Sequence, residues 1–573
     1  MKMKFACVAL VVFGSLWACA LDRDAFTFTK YDLNVRVETE QERLGVRGKI
    51  TLRNDSAVPQ RSLALQISSS LNWISIQLQG KPVEFVSQTY TSDIDHTGAL
   101  SEAVVVLPQA VAPRQNIELE IGYEGVIAQD ASRLTRIGVN SDEAKHSDWD
   151  RIGQSFTAVR GIGHVAWYPI ALEAVSLSDV NAVPEAVAKW KQREDQAEMK
   201  ATLDYFQSSQ QTSPELLCDG TQANKATDPG ALQQLTVECS YGPLNRVVPS
   251  FVIAPYSDVG GKDVVIHYLP DHKAGADDYV SAVEEVSPLI GKWFGDHRLR
   301  ADTESEVADL PDPNDGSCES GDTLFMPLTG SDTKLLLSAA QQLTHIYFPS
   351  PRAWIHDGLA NYAQARLIEE KGGRKAAIDY LQARRTGLME LEKLSRENNK
   401  DKDDSLISSL DDFRIQTKSM YVWWMLRDMV GENALYAALH NYKASDDTDP
   451  KYMQRLIEAQ AHRDLQWFFD DWVYHDRGLS DFRVTSVYSS KLPSGGYMVT
   501  VQVENRGEAG AEISVTLHMQ DSEASGKLVV AGKSKASIRI QCPSLPQEAT
   551  LNDGSVPESD ISNDVYKIDA VNH

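Results

Sequence analysis

The chain has 573 residues, 42% of them hydrophobic, with ordinary numbers of Gly (35) and Pro (23). That length exceeds one compact domain and suggests about three or four, and the composition excludes collagen-like and disordered classes. Acidic residues outnumber basic ones, 81 to 56, and the formal charge of −25 disfavours nucleic acid and anionic membrane surfaces as partners.

Residues 1–20 read as a cleaved export signal. Lys2 and Lys4 precede an apolar run from Phe5 to Trp17, and Ala18-Cys19-Ala20 offers an A-x-A cleavage site. The run is too short to span a bilayer. Losing it removes two lysines and takes the charge to −27. Leu16-Trp17-Ala18-Cys19 offers a second reading, a bacterial lipobox with a lipid anchor at Cys19. The expected location is periplasmic, secreted or lipid-anchored to an envelope membrane. No other segment reads as a transmembrane span. In an oxidising compartment cysteines pair. Cys218 and Cys239, in one polar stretch, are the expected bridge, while Cys318 and Cys542 pair or stay free. No Cys/His spacing suggests a metal knuckle.

Residues 21–256 read as strands. Leu33, Val35 and Val37 alternate with polar residues, as do Ile50 and Leu52, then Leu63, Leu65 and Ile67, then Ile117, Leu119 and Ile121. This period of two predicts an antiparallel, half-buried β-sandwich ending near Phe251-Val252-Ile253. Residues 257–478 read as mainly helical. Asp277 to Phe294 has helical spacing, and Ala301 to Asp322 reads as an acidic loop. Asp332 to about His475 is nearly all helix, with breaks at Gly372-Gly373 and at the polar run Glu397 to Ser405. Residues 479–573 return to strands, with Val499, Val501 and Val503 and then Ile513, Val515, Leu517 and Met519 alternating as in a small immunoglobulin-like sandwich.

The chemistry concentrates between Ser331 and Gln364. A helix capped by Asp332 or Thr333 and ended by Pro349 carries Leu336, Ala339, Leu343 and Ile346 on one face. Ser338, Gln341, Gln342 and His345 fall on the other, and Gln341 and His345 lie one turn apart. A second helix starts near Pro351 with Trp354-Ile355-His356-Asp357-Gly358-Leu359-Ala360.

These two segments resemble the alanyl-aminopeptidase-like zinc metallopeptidases, or gluzincins. That family's first helix carries H-E-x-x-H, two zinc histidines and a glutamate base, and its next helix carries W-L-N-E-G-(F/L)-A, whose Glu is the third ligand. The resemblance puts Gln341 at the first ligand position, Gln342 at the base, His345 at the second ligand and Asp357 at the third. Eleven residues separate His345 from Asp357, a shorter gap than the family's. Downstream, Gln416-Thr417-Lys418-Ser419 resembles the family's Y-x-K-G, with Gln416 where an oxyanion-stabilising Tyr would stand. The family's G-x-M-E-N segment, which binds the substrate's amino terminus, is not recognisable, and Phe325 to Gly330 lies near its place.

The resemblance implies three domains: a β-sandwich, a thermolysin-like helical domain and a second β-sandwich. An amide on Gln341 is a poor zinc ligand, and Gln342 is not a base in water. Losing a general base alone costs on the order of 10²–10⁴ in rate. The expectation is a catalytically degenerate homologue, with no cofactor expected, that binds peptide or protein or acts as an extracytoplasmic interaction module. Two alternatives stay open. One is a divergent zinc peptidase whose metal is held by His345, Asp357 and a third group such as His356. The other is a structural envelope protein with a filled cleft.

Overall fold

The structure, a computed structural model, describes residues 21–179, 182–206, 214–225, 234–298, 304–398, 405–475 and 477–568. The export signal, the Cys19 lipid site and most of the run from Glu397 to Ser405 lie outside these residues.

In the N-terminal domain the strand Phe26–Glu38 buries Leu33, Val35 and Val37 and exposes Asp32, Asn34 and Arg36 between them. It pairs antiparallel with Arg43–Asn54 and belongs to an eight-stranded sheet. A three-stranded sheet of Gln60–Ser68, Ala99–Val111 and Glu84–Thr91 shares its core. One pairing departs from the antiparallel expectation: Phe26–Glu38 lies parallel to Glu198–Phe206. A parallel neighbour needs a long crossover. The intervening chain supplies one, including the helix Ala182–Arg193, which plants Trp190 in the core. Cys218 and Cys239 form the expected disulfide, and Cys318 and Cys542 are free thiols.

Glu194, just after that helix, is buried, and burial pushes its carboxyl up to about 8 despite Arg193 Nε donating to it at 3.2 Å. The folded protein therefore holds a proton that the unfolded chain, with an ordinary glutamate near 4.3, has already released. Stability from this group is present at acid pH and is lost as pH rises through about 8. Glu194→Gln is expected to flatten the stability profile between pH 5 and 8.5. It should gain on the order of 1 kcal/mol over the wild type at the alkaline end. Urea unfolding across that range measures it, and parallel profiles for the two proteins would refute it.

The middle domain is built on a five-stranded sheet in the order β1 (Ser257–Gly261), β2 (Val264–Tyr268), β3 (Ser305–Asp309), β5 (Thr323–Met326) and β4 (Cys318–Ser320). β2, β3 and β5 run parallel, and β1 and β4 are antiparallel edges. Both faces are covered, as sheets with a parallel core require. Val264, Ile266, Val307, Leu324 and Met326 meet the helices. Ala308 and Phe325 meet Trp149, Phe156, Leu217 and Val252 of the N-terminal domain. The helices are α1 (Lys273–Phe294), α2 (Asp332–Tyr347), α3 (Ala353–Asn398) and α4 (Asp412–Val430). α3 is interrupted at Gly373, whose φ of 77° suits a glycine, at the Gly-Gly pair that predicted a break.

In its described part, residues 304–322, the stretch that reads as an acidic loop is not one. It contains β3, a turn and β4, and its acids have structural work. Buried Asp309 accepts from the backbone of Leu269 and Leu328 and bonds His272 Nδ1. Alternation in β3 was hidden by Glu306, an acid within a strand whose neighbours Ser305, Val307 and Ala308 are buried.

The C-terminal domain is a two-sheet sandwich. Phe482–Lys491, Tyr497–Asn505 and Lys535–Cys542 face Ala511–His518, Glu523–Val530, Glu548–Leu551 and Val565–Lys567. Its core of Val499, Val501, Val503, Ile513, Val515 and Leu517 is continuous with that of the helical domain. Trp472 Nε1 donates across the junction to the Gly510 carbonyl. Among the described residues no helix is long and apolar enough to cross a membrane.

Candidate active-site cleft

Three elements converge on His345: α2, the start of α3 and the edge strand β4. Ser331, rather than Asp332 or Thr333, caps α2, its Oγ accepting from Lys334 N at 3.4 Å. The helix ends at Tyr347, two residues before Pro349. His345 lies on its last turn. Nδ1 is 2.8 Å from Glu319 Oε1 on β4, and Nε2 is 3.4 Å from Asp357 Oδ1 on the first turn of α3. The His356 ring stacks on the His345 ring, with centroids 4.1 Å apart and planes within 16°.

Electrostatics follow from this packing. Burial would lower the His345 imidazole, but Glu319 and Asp357 outweigh it and hold it up at about 10. His356 moves the other way, to about 4, pushed by burial and then by the neighbouring His345 charge. Burial would raise Asp357, yet His345, His356 and Lys191 together hold it below the usual carboxylate range. Asp412, at the start of α4, is pushed up to about 6 by burial and by Asp357.

The residues expected at the site are brought together only in part. His345 and Asp357 meet. Gln341 is beside them, but its amide is engaged: Nε2 donates to Glu319 Oε2 at 3.2 Å, and Oε1 accepts from Gln364 at 3.2 Å. Gln342 corrects the helical-face reading that set it with Gln341 and His345. It is 2% exposed, accepts from Tyr279 Oη at 2.8 Å and donates to the Glu306 carbonyl at 2.9 Å. One residue beyond Gln341 is a rotation of roughly 100° about the helix, and that turns it from the cleft into the sheet. Gln416 is exposed on α4, and the charge of Asp357 acts instead on Asp412 of the same helix.

Glu319, Asp412 and Lys191 escaped the sequence reading. Glu319 lies in Gly316-Ser317-Cys318-Glu319-Ser320. Phe325 and Met326 are buried in β5. An acid on a short strand 22 residues before Gln341 was the available signal.

As a zinc set in the family's register, Gln341, His345 and Asp357 do not fit, because the Gln341 amide is already spent on Glu319 and Gln364. The donors that do converge are His345, His356 and Asp357, with one ligand atom of each lying within 4.8 Å of the others.

Two β-sandwiches around a helical domain built on a mixed sheet are the architecture of a solved aminopeptidase. Aminopeptidase A from Legionella pneumophila, solved in complex with aspartic acid, matches with a TM-score of 0.58 and 13% identity. The match covers 94% of this chain and 59% of that one, so this chain spans about three-fifths of the length of that enzyme. An M1 zinc metallopeptidase variant from Deinococcus radiodurans, bound to a Tyr-Ser-Ala substrate, matches with a TM-score of 0.44 and 15% identity over 76% of this chain and 91% of that one. No protein-family model matches the sequence, and no curated protein does. The fold of this chain is that of the Legionella aminopeptidase.

Proposed function

We propose that this aminopeptidase-like protein binds the amino-terminal end of a peptide or protein in its cleft and does not hydrolyse it. The observation that carries the reading is Gln342. At the position of the family's base stands an amide, buried, with its oxygen and its nitrogen both committed to neighbours. It neither takes a proton nor faces His345. Binding is supported by the local excess of acid, Glu319, Asp357 and Asp412 against the His345 imidazolium and Lys191, which favours an ammonium group. Export through the signal at residues 1–20 is part of the proposal and would place the cleft among extracytoplasmic polypeptides.

The test is binding of a fluorescent peptide library by anisotropy, on chelator-treated protein, with free and with acetylated amino termini. Acetylation is expected to weaken binding at least about 10-fold, since it removes the charge and with it about 1.4 kcal/mol or more. Mass spectrometry of the same samples is expected to show intact peptide. Equal affinity for acetylated peptides, or catalytic cleavage by metal-loaded protein, would overturn the reading.

A further inference from the structure

The strand Glu84–Thr91 is one edge of the three-stranded sheet in the N-terminal domain and pairs on one side only, with Ala99–Val111. Val86, Ser87, Gln88 and Thr89 are all exposed. Successive side chains of a strand point to opposite faces, so among the described residues no element overhangs this stretch on either face. Val86 is 67% exposed, and exposed Val106 lies diagonal to it on the neighbouring strand, which leaves an apolar spot beside the open backbone. The N–H and C=O groups on the free side of such a strand are a template for another strand.

Three other edges show the usual guards. Lys81–Pro82, at the end of the eight-stranded sheet, carries a proline. Gln60–Ser68, the opposite edge of the same small sheet, spends its free side on the backbone of Ala166 and Ile170. Phe482–Lys491 in the C-terminal sandwich carries Arg483 and Lys491 and a register shift between Val484 and Ser486. Glu84–Thr91 has no proline, lysine or arginine and no register shift against its partner. From Phe85 to Thr91 it carries no charge, in a chain of which 24% of residues are charged.

We propose that Glu84–Thr91 is a docking edge for a second copy of this chain, the two strands pairing antiparallel about a two-fold axis so that two three-stranded sheets become one of six strands. A foreign strand added here would leave its own far side open, whereas two copies close both free edges in one step. Glu84 is the strand's single charge, so it opposes its own counterpart only if the axis passes through it, and every register centred between Phe85 and Thr91 avoids that clash. An uncharged strand also offers no electrostatic selection for a different partner. The rest of the surface opposes association, because each copy carries a formal charge of −25. Salt screens that repulsion, so the dimer tightens as ionic strength rises.

The proposal stands apart from peptide binding in the cleft. The experiment is sedimentation velocity of the purified chain from about 1 to about 100 µM, in about 0.05 and about 0.5 M NaCl. A monomer–dimer equilibrium is expected, with Kd at least about 3-fold lower at the higher salt. Hydrogen exchange of residues 84–89 should slow in the dimer. Val86→Lys and Val86→Glu should each weaken the dimer at least about 10-fold, their opposite charges separating a blocked edge from a change in net charge. Both leave the monomer's unfolding midpoint unchanged, since Val86 is exposed. Thr89→Lys repeats the loss if a Val86 variant fails to fold. A monomer under all conditions, a dimer insensitive to folded Val86 variants, a dimer that weakens with salt, or one whose residues 84–89 exchange as fast as in the monomer would each overturn the assignment. Capture of an extended peptide on this strand without self-association would do the same.

Discussion

Gln342→Glu, which restores the family's residue at the base position, is expected to cost about 3 kcal/mol of stability and to create no peptidase. The amide is buried between two fixed partners, the Tyr279 hydroxyl that donates to it and the Glu306 carbonyl that it donates to. A carboxylate keeps the first contact. It loses the second, because an ionised oxygen then faces a carbonyl oxygen with no proton between them. The variant escapes in part by staying protonated, so its folded-state pKa rises above the ordinary glutamate value. A raised folded pKa means that stability falls as pH rises, and the deficit against wild type should be smaller at pH 5 than at pH 8. Urea unfolding at the two pH values measures this. An unchanged stability would show that the Gln342 side chain is free to leave the sheet, and the non-hydrolytic reading would lose its main support.

How much of this was legible beforehand depends on the scale of the interaction that decides each feature. Strands such as Phe26–Glu38 announce themselves because burial alternates along the strand itself: Leu33, Val35 and Val37 in, Asp32, Asn34 and Arg36 out. The pairing of Trp354-to-Ala360 with the His345 helix was also readable, since both segments are local and strongly patterned. The edge strand β4 was not. Three residues long, it carries Cys318, Glu319 and Ser320, no apolar alternation and an acid that reads as solvated. Only tertiary pairing with β5 makes it a strand and brings Glu319 to His345. Gln342 failed for a related reason. A helical wheel gives angles, but which angular sector is buried depends on Tyr279 of α1 and on the β3 backbone, from segments with no local signal linking them to α2. His356 stood beside Asp357 in the sequence, but its contact with His345 exists only once the two helices cross.

Gly358→Ala is expected to lose about 2 kcal/mol. Within a helix alanine is normally the better residue by about 1 kcal/mol, so the sign itself is the test. Here a Cβ would lie 2.5 Å from the Ser419 Cβ and 3.0 Å from Trp423 Nε1, both on α4. Trp423 has no room to yield: it is fully buried, stacks on Trp354 at 5.2 Å and donates to the Trp354 carbonyl. The first turn of α3 must therefore move away from α4, and that turn carries His356 and Asp357. Ser419→Gly removes the atom in closest conflict. The double variant should recover part of the loss, with a coupling of at least about 1 kcal/mol in a double-mutant cycle. A stabilised Gly358→Ala protein would mean that α3 and α4 are not held in this close approach. A loss recovered in part by Ser419→Gly would tie the stability of the fold to the close packing of α4 on the turn that sets His356 and Asp357 against His345.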